Sequence, residues 1–167
     1  MKLTEAREQL VASWGSIGGH WGINRTLAQI HALLLANSRP MSTEDIMAEL
    51  NISRGNANMN IRELIAWGLV KKVVVAGERK EFFVAAKDAW TIVGIIARER
   101  KKRELEPLIK ALEQITIEEE DQSAEAMELR KTIADMERFA LQAGKTLDLM
   151  ATADQHWFIG NLIKWLG

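Results

Sequence analysis

The stretch 51-NISRGNANMNIREL-64 decides how the rest of the chain reads. Ala57, Ile61 and Leu64, with Ile65 just beyond, recur at helical spacing and predict one apolar helix face. Yet asparagines at 51, 56, 58 and 60 and a glycine at 55 crowd the same segment. Both residue types are poor helix formers. Advancing about 100° per residue puts Gly55, Asn56, Met59, Arg62 and Glu63 opposite the core face, with Asn58 and Asn60 on its flanks. Ser53 is the expected N-cap. Such a face is either an ordinary solvated surface or a surface kept for contact, and its neighbours decide between them.

Upstream, 42-STEDIMAELN-51 predicts a short helix. Ser42 is its N-cap, Asp45 completes a capping box, and Ile46 and Leu50 face inward. Downstream, 69-LVKKVVVAGERKEFFVA-85 changes period. Its β-branched and aromatic residues flank Ala76-Gly77-Glu78-Arg79, which predicts two strands and a glycine-containing turn. Lys71, Lys72, Arg79 and Lys80 make this ribbon basic. Helix, tight turn, helix and ribbon describe a winged helix-turn-helix. In that geometry the second helix presents its N-terminal residues to base edges in the major groove. Basic ribbon residues follow the backbone or enter the minor groove.

The flanks are helical. In 3-LTEAREQLVASWGSIGGHWG-22, Leu3, Ala6, Leu10, Trp14 and Ile17 form one face, Thr4 is a candidate N-cap, and Gly15, Gly18, Gly19 and Gly22 should end or loosen the helix. In 24-NRTLAQIHALLLAN-37, Leu27, Ile30 and Leu34 repeat the pattern, with Ile23 ahead of them. From Asp88, Trp90, Val93 and Ala97 line a face, 98-RERKKR-103 is basic, and Glu106-Pro107 kinks or restarts the helix. Leu105, Leu108, Leu112 and Ile115 extend the apolar stripe, and 118-EEED-121 reads as a solvated loop. Leu129, Ile133, Met136, Ala140, Ala143 and Leu147 then make a heptad-like seam. The final 154-DQHWFIGNLIKWLG-167 is apolar nearly all round, with Trp157, Phe158 and Trp165, and should lie between two partners. Three regions result: an N-terminal supporting and dimerising helix (1–23), a winged-helix domain (24–86) and a helical dimerisation or effector region (87–167). The fold class is mainly α, with a two-stranded wing.

Bulk properties set limits. The 167 residues carry 22 basic and 23 acidic side chains, so net charge does not argue for nucleic acid and a binder needs a local basic surface. Residues 1–86 hold ten basic and eight acidic side chains, and residues 87–167 hold twelve and fifteen. With no cysteine, disulfides and zinc–thiolate sites are excluded. MKLTEAREQL lacks the apolar core of a signal peptide, and no apolar run suggests a membrane span, so a cytoplasmic location is expected. No phosphate-binding loop, nucleophile elbow or metal-binding helix motif occurs, so neither enzyme activity nor a metal or cofactor is expected. His20 in its glycine-rich loop, His31 and His156 are expected at surface or hydrogen-bonded positions.

Residues 42–70 resemble the helix-turn-helix of MarR-type regulators. The fuller resemblance is to the GbsR branch, carried by S-R-G-N at the start of the second helix, I-R-E-L…W-G-L-V, the wing A-G-E-R-K-E-F-F and R-E-R-K-K-R-E-L-E-P. It spans roughly residues 10–115. It implies a homodimeric, sequence-specific transcriptional regulator, usually a repressor, whose two recognition helices read half-sites of a double-stranded operator. By match to the motif, Ser53, Asn56, Asn58 and Met59 contact bases or backbone, and Arg79 is the wing-tip arginine. The full expected set adds Ser42, Arg54, Gly55, Asn60, Arg62 and Lys80. The family often carries arginine or lysine where this chain has Met59, so base preference there does not carry over. Some GbsR-type regulators respond to choline or glycine betaine, which an aromatic cage would hold by cation–π attraction. Trp21 and Trp90 are the candidates here, although Trp14, Trp90 and Trp157 sit on apolar stripes and Trp67 closes the recognition helix. The basic run 98–103 is a solvated helix face, or adds phosphate contacts. A winged helix serving as a protein-interaction module in a larger assembly is the rival reading. The polar recognition face and the basic wing favour DNA.

Overall fold

The structure, a computed structural model, describes residues 1–20, 23–118 and 120–152. The expected terminal helix at 154–167 lies outside them, as do Trp21 and His156. The chain divides into two compact units, Met1–Asp88 and Ala89–Gly167.

The first unit is built on α2 (Arg25–Ala36). Asn24 caps it, accepting from the backbone N–H groups of Thr26 and Leu27 at 2.8 and 3.2 Å. At its other end the Lys87 ammonium donates to the carbonyls of Leu35 and Asn37, groups a helix end leaves unpaired. Leu27, Ile30 and Leu34 are buried, as expected, and so are Ala28, Ala32 and Leu33 on the other sides of the helix. His31, expected at the surface or hydrogen-bonded, is instead 2% exposed with no partner for Nε2. Its ring lies 6.3 Å from that of Trp14.

Against α2 lies α1 (Leu3–His20), and here three expectations fail. The helix starts one residue before Thr4, with Glu5 accepting from the Lys2 N–H. It runs through Gly15, Gly18 and Gly19 rather than ending there. Its buried residues are Val11, Gly15 and Gly18, while Leu3, Leu10 and Ile17 are exposed. The physical reason is proximity: a Cβ at Gly18 would stand 2.6 Å from the Cβ of Ala28. The glycines form the contact face because they lack side chains. His20 ends the helix with Nδ1 2.8 Å from the Ser16 carbonyl.

After α2 come β1 (Met41–Ser42), α3 (Thr43–Leu50), α4 (Arg54–Trp67), β2 (Val70–Val73) and β3 (Phe82–Ala85). The Ser42/Asp45 capping box is complete. Asn51 turns the chain in a left-handed conformation (φ 50°), with its N–H on the Met47 carbonyl. Ser53 caps α4, accepting from the Asn56 N–H at 3.3 Å. Gly68 ends α4 with φ 86°, which only glycine adopts freely, and the Leu69 N–H reaches the Leu64 carbonyl. The ribbon is shorter than expected and has a third strand. Val70 pairs with Ala85 and Val73 with Phe82, while Met41 pairs with Phe83 across the other edge of β3. All pairings are antiparallel, in the order β1-β3-β2. Between β2 and β3 the Glu78 N–H meets the Val75 carbonyl, with Gly77 at φ 83°.

The second unit packs α7 (Ala124–Thr152) on α5 (Ala89–Arg100) and α6 (Glu106–Glu113). A π-helical turn, Lys101–Leu105, joins α5 to α6. Pro107 follows in the first turn of α6. A proline has no N–H and its ring crowds the carbonyl one turn back, which the wider turn relieves. The buried face of α5 is Ile92, Gly94, Ile95 and Ala97, and Val93, expected inside, is exposed. Leu112 is buried, whereas Ile115 lies past the end of α6 and is exposed. The α7 seam divides: Ala140 is buried and Ile133 and Leu147 half-buried, while Leu129 and Met136 are exposed. No helix among the described residues is long and apolar enough to cross a membrane.

Candidate nucleic-acid interface

The outer face of α4 and the ribbon enclose an open cleft of about 510 Å³. Arg54, Arg62, Lys72, Arg79 and Lys80 line it, with Asn58 and Thr43 between them. Glu44 and Glu81 are its two carboxylates. The local excess of cations is what near-zero net charge had left open. Two cations are held in place: Arg54 Nη2 lies 2.9 Å from Glu44 Oε1, and Lys72 pairs with Glu81. Backbone hydrogen bonding at the start of α3, then Arg54, hold the Glu44 carboxyl below its ordinary pKa, so it stays ionised.

The outward face of α4 is exposed at most of the positions expected to point away from the core. Ser53, Arg54, Gly55, Met59 and Arg62 are exposed, and Asn56 and Asn58 are half-exposed. Met59, at 57% exposure, is the most prominent apolar side chain on it. Nothing lies within 4 Å of a Cβ built on Gly55, so no internal contact demands a glycine there. Arg79 and Lys80 are exposed at the end of the ribbon.

Two expected contact residues are placed otherwise. Ser42 is 1% exposed. Its hydroxyl donates to Asp45 Oδ2 at 2.7 Å and accepts from the Asp45 N–H at 3.2 Å, so it caps a helix and does not face outward. Asn60, expected on a flank, is fully buried. It shares the core face with Ala57, Ile61 and Leu64, and Ile65, assigned to that face, is 38% exposed on the cleft. The centre of the buried arc is rotated by roughly 35° about the helix axis from where hydrophobicity alone put it.

Sequence reasoning missed Glu44, whose hold on Arg54 joins residues ten apart. An acidic side chain in the first turn of α3, facing the start of α4 across a three-residue turn, was the available signal. The basic run 98–103 is engaged in ion pairs within its own unit: Arg100 with Glu104, Arg103 with Glu99, and Lys101 with Asp148. Trp90 is half-buried at the start of α5.

Residues 21–81 match the sequence model of the MarR family. A crystal structure of a transcriptional regulator has the same fold, with a TM-score of 0.56 at 21% identity, over 84% of this chain and 97% of that one. No curated protein matches the sequence.

Proposed function

We propose that the chain, whose residues 21–81 match the MarR family of regulators, is a sequence-specific DNA-binding transcriptional repressor acting as a homodimer. Its chemistry is recognition rather than catalysis. The cleft between α4 and the wing carries this reading, with its five cations beside a polar helix face. On this reading α4 enters the major groove, where Asn56, Asn58 and Met59 meet base edges. Arg54 and Arg62 contact phosphate or groove edges, and Arg79 and Lys80 follow the backbone into the minor groove. Leu129, Met136 and Phe139 on α7 are exposed, as are Leu3, Leu10 and Ile17 on α1. Apolar stripes of this kind support an association of two chains, which sedimentation at micromolar concentration tests.

Arg79→Ala with Lys80→Ala should weaken operator and random duplex alike, by roughly tenfold or more, and lower the salt slope by about 2. Asn56→Ala and Met59→Ala should instead relax sequence preference. Binding to both duplexes across a salt series separates these outcomes. A wild type with no salt-dependent affinity for any duplex would sink the proposal.

Gly55→Ala makes a sharper test, because its two effects differ in sign. It should stabilise α4 by about 0.5–1 kcal/mol, since alanine is the better helix former and its Cβ meets nothing in the free protein. The same methyl group should weaken duplex binding if the backbone approaches DNA closely here. Unchanged affinity would remove that role from Gly55.

A further inference from the structure

Asn60 is a polar side chain in the middle of an apolar face. It is fully buried, in line with Ala57, Ile61 and Leu64. Its Nδ2 donates to the Asn56 side-chain Oδ1 at 2.7 Å and to the Asn56 backbone carbonyl at 2.8 Å. Its own Oδ1 has no partner. Burying an amide oxygen unpaired is unfavourable, and an apolar side chain of similar volume would fill the same place without that penalty. Fold stability therefore does not account for the asparagine.

The pair of bonds fixes both amides. Turning the Asn60 amide over would set its oxygen against two oxygens. Turning Asn56 over would set one NH2 group against another. Asn56 thus keeps its oxygen on Asn60 and has its NH2 group free to donate elsewhere. Asn56 is half-exposed and lies in the first turn of α4.

We propose that Asn60 is a positioning residue for recognition: it locks the Asn56 amide so that Asn56 meets DNA as a hydrogen-bond donor. The proposal rests on the DNA-binding reading. A donor suits edges that offer acceptors in the major groove, namely N7 and O6 of guanine, N7 of adenine or O4 of thymine. It does not suit cytosine, whose edge there offers a donor. An amide free to turn would accept either kind.

The test is selection of bound duplexes from a random pool by wild type, Asn56→Ala, Asn60→Leu and Asn60→Ala, with melting curves for each. Asn56→Ala identifies the base pair that Asn56 reads. Asn60→Leu should melt at or above the wild-type temperature. It should nonetheless lose about tenfold discrimination at that pair and keep it at pairs relaxed by Met59→Ala. Adding Asn60→Leu to Asn56→Ala should change nothing further. If the leucine variant does not fold, Asn60→Ala gives the same reading. Wild-type preference at that pair in a folded Asn60 variant overturns the proposal. So does a uniform loss on selected and random duplex, a cytosine at the Asn56-dependent edge, or no pair that depends on Asn56. A wild type that enriches no sequence removes the DNA-binding reading itself, an outcome distinct from these.

Discussion

Gly18→Leu should be among the most damaging single changes in the first unit. The first added carbon would stand 2.6 Å from the Cβ of Ala28, an atom fixed to the backbone of α2 that cannot swing away. Helix α1 must then move off α2, and overpacking of this kind costs about 1–3 kcal/mol, with leucine expected at the upper end. The melting temperature of that unit should fall by more than about 10 °C. Neighbouring glycines supply controls. At Gly15 the added carbon meets the Gln29 side chain, which can give way, so Gly15→Ala should be milder. At Gly19 it meets nothing within 4 Å, and Gly19→Ala should stabilise the helix by about 0.5–1 kcal/mol. Melting curves of the three variants check the order. Equal effects at 18 and 19 would mean that α1 is not seated this closely.

Acid should weaken the fold well above the range where carboxylates titrate. Burial lowers the His31 pKa from 6.5 to about 4. Between those values the unfolded chain takes up a proton that the folded one refuses. The stability owed to a neutral His31 is therefore whole above about pH 6.5 and is lost as pH falls towards 4. Each factor of ten in proton affinity is worth 1.36 kcal/mol, so the loss is roughly 3 kcal/mol. Asp45 and Glu44 are held low by hydrogen bonds to Ser42 and to the backbone, so their contributions fade at lower pH still. Urea unfolding at pH 7, 5.5 and 4 should show the decline, and His31→Leu should flatten it. A wild type equally stable at pH 7 and pH 4.5 would contradict this account.

The helix-turn-helix was legible because its signals are local. Ser42 with Asp45 and Ser53 at the start of α4 each act within a few residues of themselves. Strand β1 was not, since two residues after a proline leave no period to detect. Helix α1 misled because hydrophobicity gives glycine no weight, while a close helix pair is built from absent side chains. The spacing of Asn56 and Asn60 marks a helical neighbour pair. Which member would turn inward depended on where α4 meets α2, and no local pattern in α4 records that. His31 looked like any helix histidine until α2 proved buried on all sides.

The pairing of Met41 and Ser42 with Phe83 and Phe82 has a mechanical meaning. Strand β1 runs directly into α3, so the ribbon's stem and the helix-turn-helix share one hydrogen-bonded frame. Backbone amides in that frame should exchange slowly with solvent, and residues 74–81 quickly. Whatever settling a wing makes on a bound surface is then confined to its tip. Its stem works as a strut, braced before any encounter, and it anchors to the α3 frame both ends of the short tip that carries Arg79.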